Sequence, residues 1–168
     1  MNVYLKKALL LLLSALMLPI VSCAKQEEYL NNVSCEELMK QVEERIPTDL
    51  GYTSFGTDQI LYYFENQASY DDVCLRYSTR SENINEIGIF HSPNESAQEE
   101  LEDKIEEYLE QMWEEQRAFI ASYAPEELPK LEHAEIESFG NYTVYAILSD
   151  EDQKTVFRIL EEHLSAPS

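Results

Sequence analysis

The sequence predicts an α+β fold in which an antiparallel sheet of about four strands, arranged as two hairpins, is packed with three amphipathic helices. Three observations indicate this fold. Apolar residues recur at steps of three and four in three segments, four shorter segments are strand-like in their residue types and alternation, and short polar turns join those four segments in pairs. The element order is α-ββ-α-ββ-α, an order that favours a sheet covered by helices. We expect a single globular domain at residues 34–168.

The first helix is predicted over residues 35–46. Ser34, with Glu37 three positions later, is typical of a capping box, and Pro47 ends the helix. Its apolar positions recur at helical spacing: Cys35, Leu38, Met39, Val42 and Ile46. Residues 47–71 are irregular, with one short helical segment predicted over residues 60–64.

The first hairpin is predicted from strands at residues 73–78 and 84–91, joined by a polar turn. Alternation divides the side chains of each strand between two faces. In the first strand, one face carries Val73, Leu75 and Tyr77 and the other carries Cys74 and Arg76. In the second strand, Ile87 and Ile89 lie opposite Glu86, Gly88 and Phe90.

The longest helix is predicted over residues 97–123, before Pro125 and Pro129. Steps of mostly three and four residues indicate one buried apolar stripe. The stripe consists of Leu101, Ile105, Tyr108, Leu109, Met112, Trp113, Phe119, Ile120 and Tyr123.

The second hairpin is predicted from strands at residues 133–139 and 142–149. Gly140-Asn141 between them suits a tight turn that needs a positive φ angle. The second strand is apolar on both faces, so we expect it in the centre of the sheet. A last helix, capped by Ser149 or Asp150, presents an inner face of Val156, Phe157, Leu160 and Leu164.

The N-terminal segment differs from the rest of the chain. Lys6 and Lys7 precede an apolar run at residues 8–18, which is shorter than the roughly 20 residues of a membrane-spanning helix. The run ends in Ile20-Val21-Ser22-Cys23, which resembles the lipobox of bacterial lipoproteins. The resemblance implies a signal peptide at residues 1–22, attachment of lipid (diacylglyceryl, palmitate) to Cys23, a polar tether over residues 23–33 and an extracytoplasmic, membrane-anchored location. The alternative is an ordinary secretory signal with an incidental cysteine.

The charge of the chain excludes some partners and favours others. Among 168 residues, 12 are Lys or Arg and 33 are Asp or Glu, a net charge of −21. Removal of residues 1–22 takes away two lysines and no acid, which leaves −23. A nucleic-acid binder needs clustered basic residues, so we expect no nucleic acid as partner. A polar partner of this chain is expected to be cationic.

An ordered set of segments resembles a known family. The segments are Glu86 to Phe90, the acidic helix through Trp113, residues 123–127, residues 131–134, Gly140-Asn141-Tyr142 and Ser149-Asp150. Together they resemble a family of Firmicutes lipoproteins known as domain of unknown function 4358, over about residues 34–164. The resemblance implies a lipid-anchored extracytoplasmic domain without a known activity, and it supplies no catalytic residues. Cys35 and Cys74 depart from the family pattern.

No catalytic residue, cofactor or metal site is predicted. His91, His133 and His163 lie outside any nucleophile motif, and the chain has no Gly-x-Ser-x-Gly, phosphate-binding Gly-rich loop or His-Glu-x-x-His. The acids of the long helix lie along one solvated face, whereas calcium is bound by oxygens clustered in a loop.

Cys35 and Cys74 are a possible disulfide, since export permits one. If the first helix packs on the Val73 face of the sheet, the two sulfurs point apart; if it packs on the other face, they can meet. Titration of free thiols under denaturing conditions distinguishes the two cases.

Four tyrosines of the irregular region, Tyr52, Tyr62, Tyr63 and Tyr70, are a possible contact surface. Exposed aromatic side chains on a loop can stack against sugars or a partner protein. The alternative is that they cover the edge of the sheet.

The sequence therefore predicts a membrane-anchored lipoprotein that serves as a non-enzymatic binding or accessory domain at the cell envelope, for an unknown envelope protein or ligand. The alternative is a carboxylate-using envelope enzyme, such as a glycan hydrolase, which needs two carboxylates about 5–10 Å apart in a cleft.

Overall fold

A five-stranded antiparallel sheet with helices on both faces forms the protein, in a computed structural model that describes residues 29–46, 52–54, 60–62, 64 and 70–166. The strands are β1 (Tyr52–Thr53), β2 (Asp72–Ser78), β3 (Glu86–His91), β4 (Glu135–Phe139) and β5 (Tyr142–Ile147). The helices are α1 (Cys35–Glu43), α2 (Glu95–Tyr123), α3 (Leu128–Glu132) and α4 (Asp150–Leu164), with a 3-10 turn at Pro125–Glu127. The predicted α+β fold with two hairpins is confirmed, and β1 and α3 are additions to it.

The strand order is β1-β2-β3-β5-β4, with every neighbouring pair antiparallel. The two hairpins meet where β3 pairs with β5, so β5 lies between β3 and β4 and all six of its residues are buried. Gly140 has a φ of 60° in the β4–β5 turn, as the Gly-Asn pair predicts. The central position predicted for the last strand is therefore confirmed.

Two apolar layers form on the two faces of the sheet. Helices α1 and α4 cover the face that carries Cys74, Ile87 and Val144. Helix α2 covers the opposite face, which carries Leu75, Phe90 and Tyr145. This division follows the alternation read from the sequence, because successive side chains of a strand point to opposite faces.

Helix ends follow local hydrogen bonding. Side-chain oxygens of Ser34, Asn94 and Ser149 accept backbone N–H groups at the starts of α1, α2 and α4. The Ser34 cap is predicted from the sequence, and Ser149 is one of the two residues predicted to cap α4. Helix α1 ends at Glu43, three residues before the predicted end.

The described part of the predicted tether contacts the domain. The backbone N–H of Leu30 donates to the carbonyl of Leu164 at 2.6 Å, and the Tyr29 ring packs edge-on against Phe139. The predicted signal peptide, Cys23 and residues 24–28 lie outside the described residues. Within the described ranges, no helix has the length and apolarity needed to cross a membrane.

Candidate functional site

A pocket of about 200 Å³ lies between the C-terminal half of α2 and the end of the β2–β3 hairpin. Most of its wall is apolar or aromatic and is formed by Tyr77, Ile84, Met112, Phe119, Ile120 and Tyr123. Polar groups come from Ser78, Ser81, Asn85, Glu86 and Gln116. Of the described residues that line it, none carries a positive charge and one, Glu86, is an acid.

The pocket exists because α2 is longer than the strands it covers. The helix has 29 residues, about 43 Å, whereas β3 has six residues, about 20 Å. Phe119 and Tyr123 are 55% and 75% exposed, and their rings lie 4.6 Å apart at the rim. The predicted stripe is therefore wrong at these two positions, although Ile120 between them is buried.

Glu86 lines the pocket, and its carboxyl group is held by two tyrosine hydroxyls. Glu86 is 6% exposed, and the Tyr108 hydroxyl donates a hydrogen bond to its Oε1 at 2.8 Å. The Tyr145 hydroxyl donates to the same oxygen. Burial raises the pKa of Glu86, and the two hydroxyl donors act in the opposite direction because they favour the carboxylate. No described residue donates to Oε2.

Gly88 makes this arrangement sterically possible. It pairs with Tyr145 across the β3–β5 ladder, and a Cβ on Gly88 would lie 2.2 Å from Cε1 of that ring. With no side chain at position 88, the Tyr145 ring lies over β3 and its hydroxyl reaches Glu86. The rings of Phe64 and Phe90 pack against Tyr145 and hold it there.

A polar network supports the chain leading into β3. The Lys130 ammonium group donates to Oδ1 of Asn85 and to Oε2 of Glu127, at 2.7 Å each. The same Glu127 oxygen accepts the backbone N–H of Ile84 at 3.0 Å. The short α3 segment therefore fixes the residues that precede Glu86.

The match to a family model covers residues 50–148, under the description "Domain of unknown function (DUF4358)". The chain belongs to the DUF4358 family. Every lining residue of the pocket lies inside the matched range, whereas α1 and α4 lie outside it. Neither the curated proteins nor the solved structures gave a significant match.

A second recess of this DUF4358 domain lies between α2 and α3. It has a volume of about 480 Å³ and is lined by Glu110, Trp113, Glu114 and Glu132, together with Leu109, Leu131 and Ala134. Three carboxyl groups beside an indole ring make it acidic and aromatic, and it is more open than the pocket around Glu86.

The two cysteines lie on the same side of the sheet. Helix α1 packs on the face that carries Cys74, and both cysteines are buried with free thiols in the structure. The Cys74 thiol donates to Oε2 of Glu36 at 3.1 Å. Burial raises the pKa of Cys74 to about 12 and that of Cys35 further, so both thiols are poor nucleophiles.

Of the four tyrosines predicted as a contact surface, Tyr52, Tyr62 and Tyr70 lie within the described residues. Tyr70 packs edge-on against Phe90 at 5.3 Å and is partly buried against the core beneath α2. Tyr62 is 75% exposed. Tyr52 belongs to β1 at the sheet edge, and Tyr63 lies outside the described residues.

The three histidines contact polar groups of the chain. His91 contacts Asp71 and Asn31 through its two ring nitrogens, and His133 contacts Asp150. His163 lies beside the carbonyl of Ile159. Across the described ranges, no three His, Cys, Asp or Glu side chains converge in a way that could hold a metal ion.

Sequence reasoning missed Glu86 as a candidate site residue. The available signal was an acid on the strand face shared with Gly88 and Phe90, where alternation predicts burial. A carboxyl group on a buried face needs hydrogen-bonding partners, and sequence alone does not show which residues supply them.

Proposed function

We propose that this DUF4358 protein is a lipid-anchored, extracytoplasmic binding domain of the cell envelope, without catalytic activity. The observation that carries the binding role is the pocket around Glu86, a mostly apolar recess with one acid among its described lining residues, whose carboxyl group is held by two tyrosine hydroxyls. Sites of this kind hold a ligand by apolar contact and orient it by a few polar groups. The lipobox-like residues ending at Cys23 support the envelope location.

A binding role fits the chemistry of this pocket better than hydrolysis does. Two-carboxylate hydrolysis needs an acid and a second carboxylate on opposite sides of the scissile bond. Among its described lining residues the pocket offers Glu86 alone. The neighbouring hydroxyl groups of Tyr108 and Tyr145 are engaged with that carboxyl, which favours a fixed recognition group.

The anchor is tested by metabolic labelling of cells that express the full chain, with a clickable palmitate analogue. We expect label on the wild-type chain and on Ser22→Ala, which keeps a small residue before the cysteine, and none on Cys23→Ser. Protease added to cells without their wall is expected to degrade the domain. Label that persists in Cys23→Ser, or complete protection from protease, would contradict the proposal.

The binding role is tested with a photo-crosslinking amino acid placed at Phe119, on the rim of the pocket, in the full chain in cells. We expect an adduct from this position that is absent when the crosslinker replaces Glu107, which is exposed on the acidic face of α2. An adduct from position 62 alone would instead favour the irregular tyrosine region. Equal patterns from positions 119 and 107 would contradict the role of the pocket.

The second recess favours one alternative function, an envelope enzyme that uses carboxylates. Glu110, Glu114 and Glu132 share this recess with Trp113, and hydrolysis of a glycosidic bond needs two carboxyl groups that flank it. Incubation of the full chain with peptidoglycan and other envelope glycans tests it by release of reducing ends. Activity that falls by about 100-fold or more in Glu114→Gln or Glu132→Gln would favour this alternative, since general acid–base catalysis contributes that much.

A further inference from the structure

The described walls of the pocket around Glu86 are complementary to a small cation that has an apolar part. Glu86 is the one acid among the described lining residues, and the remainder of the wall is mostly aromatic and aliphatic. Aromatic faces attract a cation electrostatically, and Tyr77, which pairs with Glu86 across the β2–β3 ladder, is an aromatic residue of the wall. The net charge of −21 also raises the local concentration of cations around the protein.

One oxygen of Glu86 is available to a ligand. Both tyrosine hydroxyls donate to Oε1, from Tyr108 on α2 and from Tyr145 on β5, and no described residue donates to Oε2. A buried carboxyl group whose second oxygen lacks a donor is unusual, because buried polar atoms are nearly always hydrogen-bonded. The residue is 6% exposed and lines the pocket, so a donor on a bound ligand can complete its hydrogen bonding.

The size of the pocket sets the size of the ligand. A cavity of about 150 Å³ in another protein is large enough for benzene. The pocket here measures about 200 Å³, which accommodates one ring or a short branched chain plus a charged group. Drug-sized ligands need about 300–1,000 Å³ and would extend beyond it.

We propose that the pocket binds a small organic ammonium ion, with its charged group against Oε2 of Glu86 and its apolar part between Met112, Phe119 and Ile120. This inference rests on the proposed binding function and specifies its ligand class. A neutral ligand of the same shape fits the apolar wall and leaves the charge of Glu86 without a partner. The ammonium charge is therefore the source of selectivity.

Binding of such a cation is coupled to the proton of Glu86. Burial disfavours the carboxylate in the empty pocket, and an ammonium ion favours it, so binding expels the proton where Glu86 is protonated. The groups that face Glu86 are Tyr77 on β2, Tyr108 on α2 and Tyr145 on β5. The nearest charges on α3 and the 3-10 turn, Lys130 and Glu127, form an ion pair with each other.

Calorimetry on the full chain in a non-ionic detergent tests the inference with two probes. Benzylammonium has N–H donors and stays charged below about pH 8, and benzyl alcohol is its neutral counterpart. We expect the cation to bind more tightly than the alcohol, and its affinity to rise with pH by up to about tenfold per unit below the pKa of Glu86. In Glu86→Gln, we expect the cation to bind at least about tenfold more weakly, with no pH dependence and with alcohol binding unchanged.

Two further variants keep the test decisive if Glu86→Gln folds poorly. Phe119→Ala changes an exposed rim residue and is expected to weaken cation binding, whereas Tyr62→Ala, an exposed aromatic residue outside the pocket, is expected to leave it unchanged. Equal affinity for the two probes, or full cation binding by Glu86→Gln, would overturn the ammonium assignment. The pocket would then still be a binding site, but not one selective for a cation.

Failure of the ammonium assignment can be separated from failure of the proposed function. If neither probe binds while the crosslinker at position 119 still forms its specific adduct, the ligand class is wrong and the binding role stands. If neither probe binds and that adduct is also absent, both are wrong.

Discussion

Gly88 and Glu86 show how one strand of this protein combines a steric requirement with a chemical one. They lie two positions apart on β3, so both face α2. Gly88 leaves room for the Tyr145 ring, and that ring delivers a hydroxyl group to Glu86. The absence of a side chain at one residue therefore determines the hydrogen bonding of another.

Substitution Gly88→Ala is expected to destabilise the fold by about 1–3 kcal/mol, because overpacking a buried position forces its neighbours to shift. The new Cβ would lie 2.2 Å from Cε1 of Tyr145. Urea denaturation measures the loss, and the near-ultraviolet circular dichroism of the tyrosines reports the displaced ring. Gly140→Ala, strained by a φ of 60° and by a Cβ contact with Tyr29, is the control; in a Tyr29→Phe background it is expected to destabilise without the same change in the tyrosine signal.

Glu86 is expected to make stability fall as pH rises. Its pKa is raised in the folded protein by burial, from an ordinary value of 4.5, so the folded state retains a proton that the unfolded chain releases. The contribution of Glu86 to the free energy of unfolding is fully present below about pH 4.5. It is lost as pH rises through the raised pKa, at up to about 1.4 kcal/mol per pH unit.

The measurement is the free energy of unfolding of wild type minus that of Glu86→Gln, from pH 4 to 9. Glutamine still accepts from both tyrosine hydroxyls and does not titrate, so the difference isolates this one group. We expect the difference to decline with pH, and a flat or rising difference would contradict the assignment. Glu107→Gln, at an exposed position on α2, is the matched control.

The sequence predicts the face of Glu86 but not its partners. Alternation places it with Gly88 and Phe90, as observed. Its partners Tyr108 and Tyr145 are 22 and 59 positions away, on a helix and on another strand. Periodicity identifies the residues that share a face of one element, and it does not identify the element that covers them.

Helix α2 shows a similar limit: its apolar spacing predicts which residues share a face, but not where along the helix that face stays buried. Its apolar spacing predicts burial of Leu101, Ile105 and Ile120, which is confirmed. The spacing continues to Phe119 and Tyr123, where the sheet beneath the helix has ended. Periodicity carries no information on where a neighbouring sheet stops, so it predicts burial at the rim of the pocket, where the side chains are exposed.

The sequence does not predict strand β1 or helix α3, for a different reason. Strand β1 has two residues and α3 has five. Neither is long enough to display a period of two or of 3.6, and both are recognised only by their neighbours. Helix α3 matters to the pocket all the same, because Lys130 reaches Asn85 beside Glu86.

Arg76 joins α1 to β2 and is expected to stabilise that contact. Its guanidinium, 13% exposed, donates to Glu36 and Glu43 at 2.9 Å each. Arg76→Gln removes charge-assisted bonds from a largely buried donor, and we expect a loss of about 1–2 kcal/mol in the free energy of unfolding.

The control for Arg76 is Arg158→Gln on α4, where the arginine is 55% exposed and pairs with Glu162 four residues later. Exposed pairs of this kind contribute little, so urea denaturation is expected to show no measurable change. Equal losses in the two variants would show that burial does not distinguish these ion pairs. The Arg76 effect is also expected to diminish below about pH 4.5, because the hydrogen bond from Cys74, followed by that from Arg76, lowers the pKa of Glu36.

For the whole molecule, the net charge of −21 opposes both folding and approach to an anionic membrane. Many of the acids lie along the exposed face of α2, including Glu99, Glu100, Asp103, Glu106, Glu107, Glu110, Glu114 and Glu115. Repulsion from an anionic surface is screened beyond about 8–10 Å at physiological salt. A lipid on Cys23, as proposed, would keep the domain near the membrane against that repulsion, since each buried methylene contributes roughly 0.8 kcal/mol.

The repulsion within the molecule has a direct consequence for stability. Glu106 lies four positions from both Glu102 and Glu110 on α2, and like charges at this spacing destabilise a helix by about 0.2–0.5 kcal/mol per pair. Glu106→Gln removes both repulsive pairs and is expected to raise the melting temperature at low salt.

Added salt is also expected to raise the melting temperature of the wild type, because the screening length falls from about 30 Å at 0.01 M to about 3 Å at 1 M. Thermal unfolding of both proteins across this range measures it, and the advantage of Glu106→Gln is expected to shrink as salt increases. Glu151→Gln is the matched control, because Glu151 lies in the first turn of α4, where an acid complements the helix dipole. This variant is expected to lower the melting temperature at low salt. A rise in both variants would mean that net charge alone governs stability, and a fall in Glu106→Gln would show that α2 gains from its acidic face.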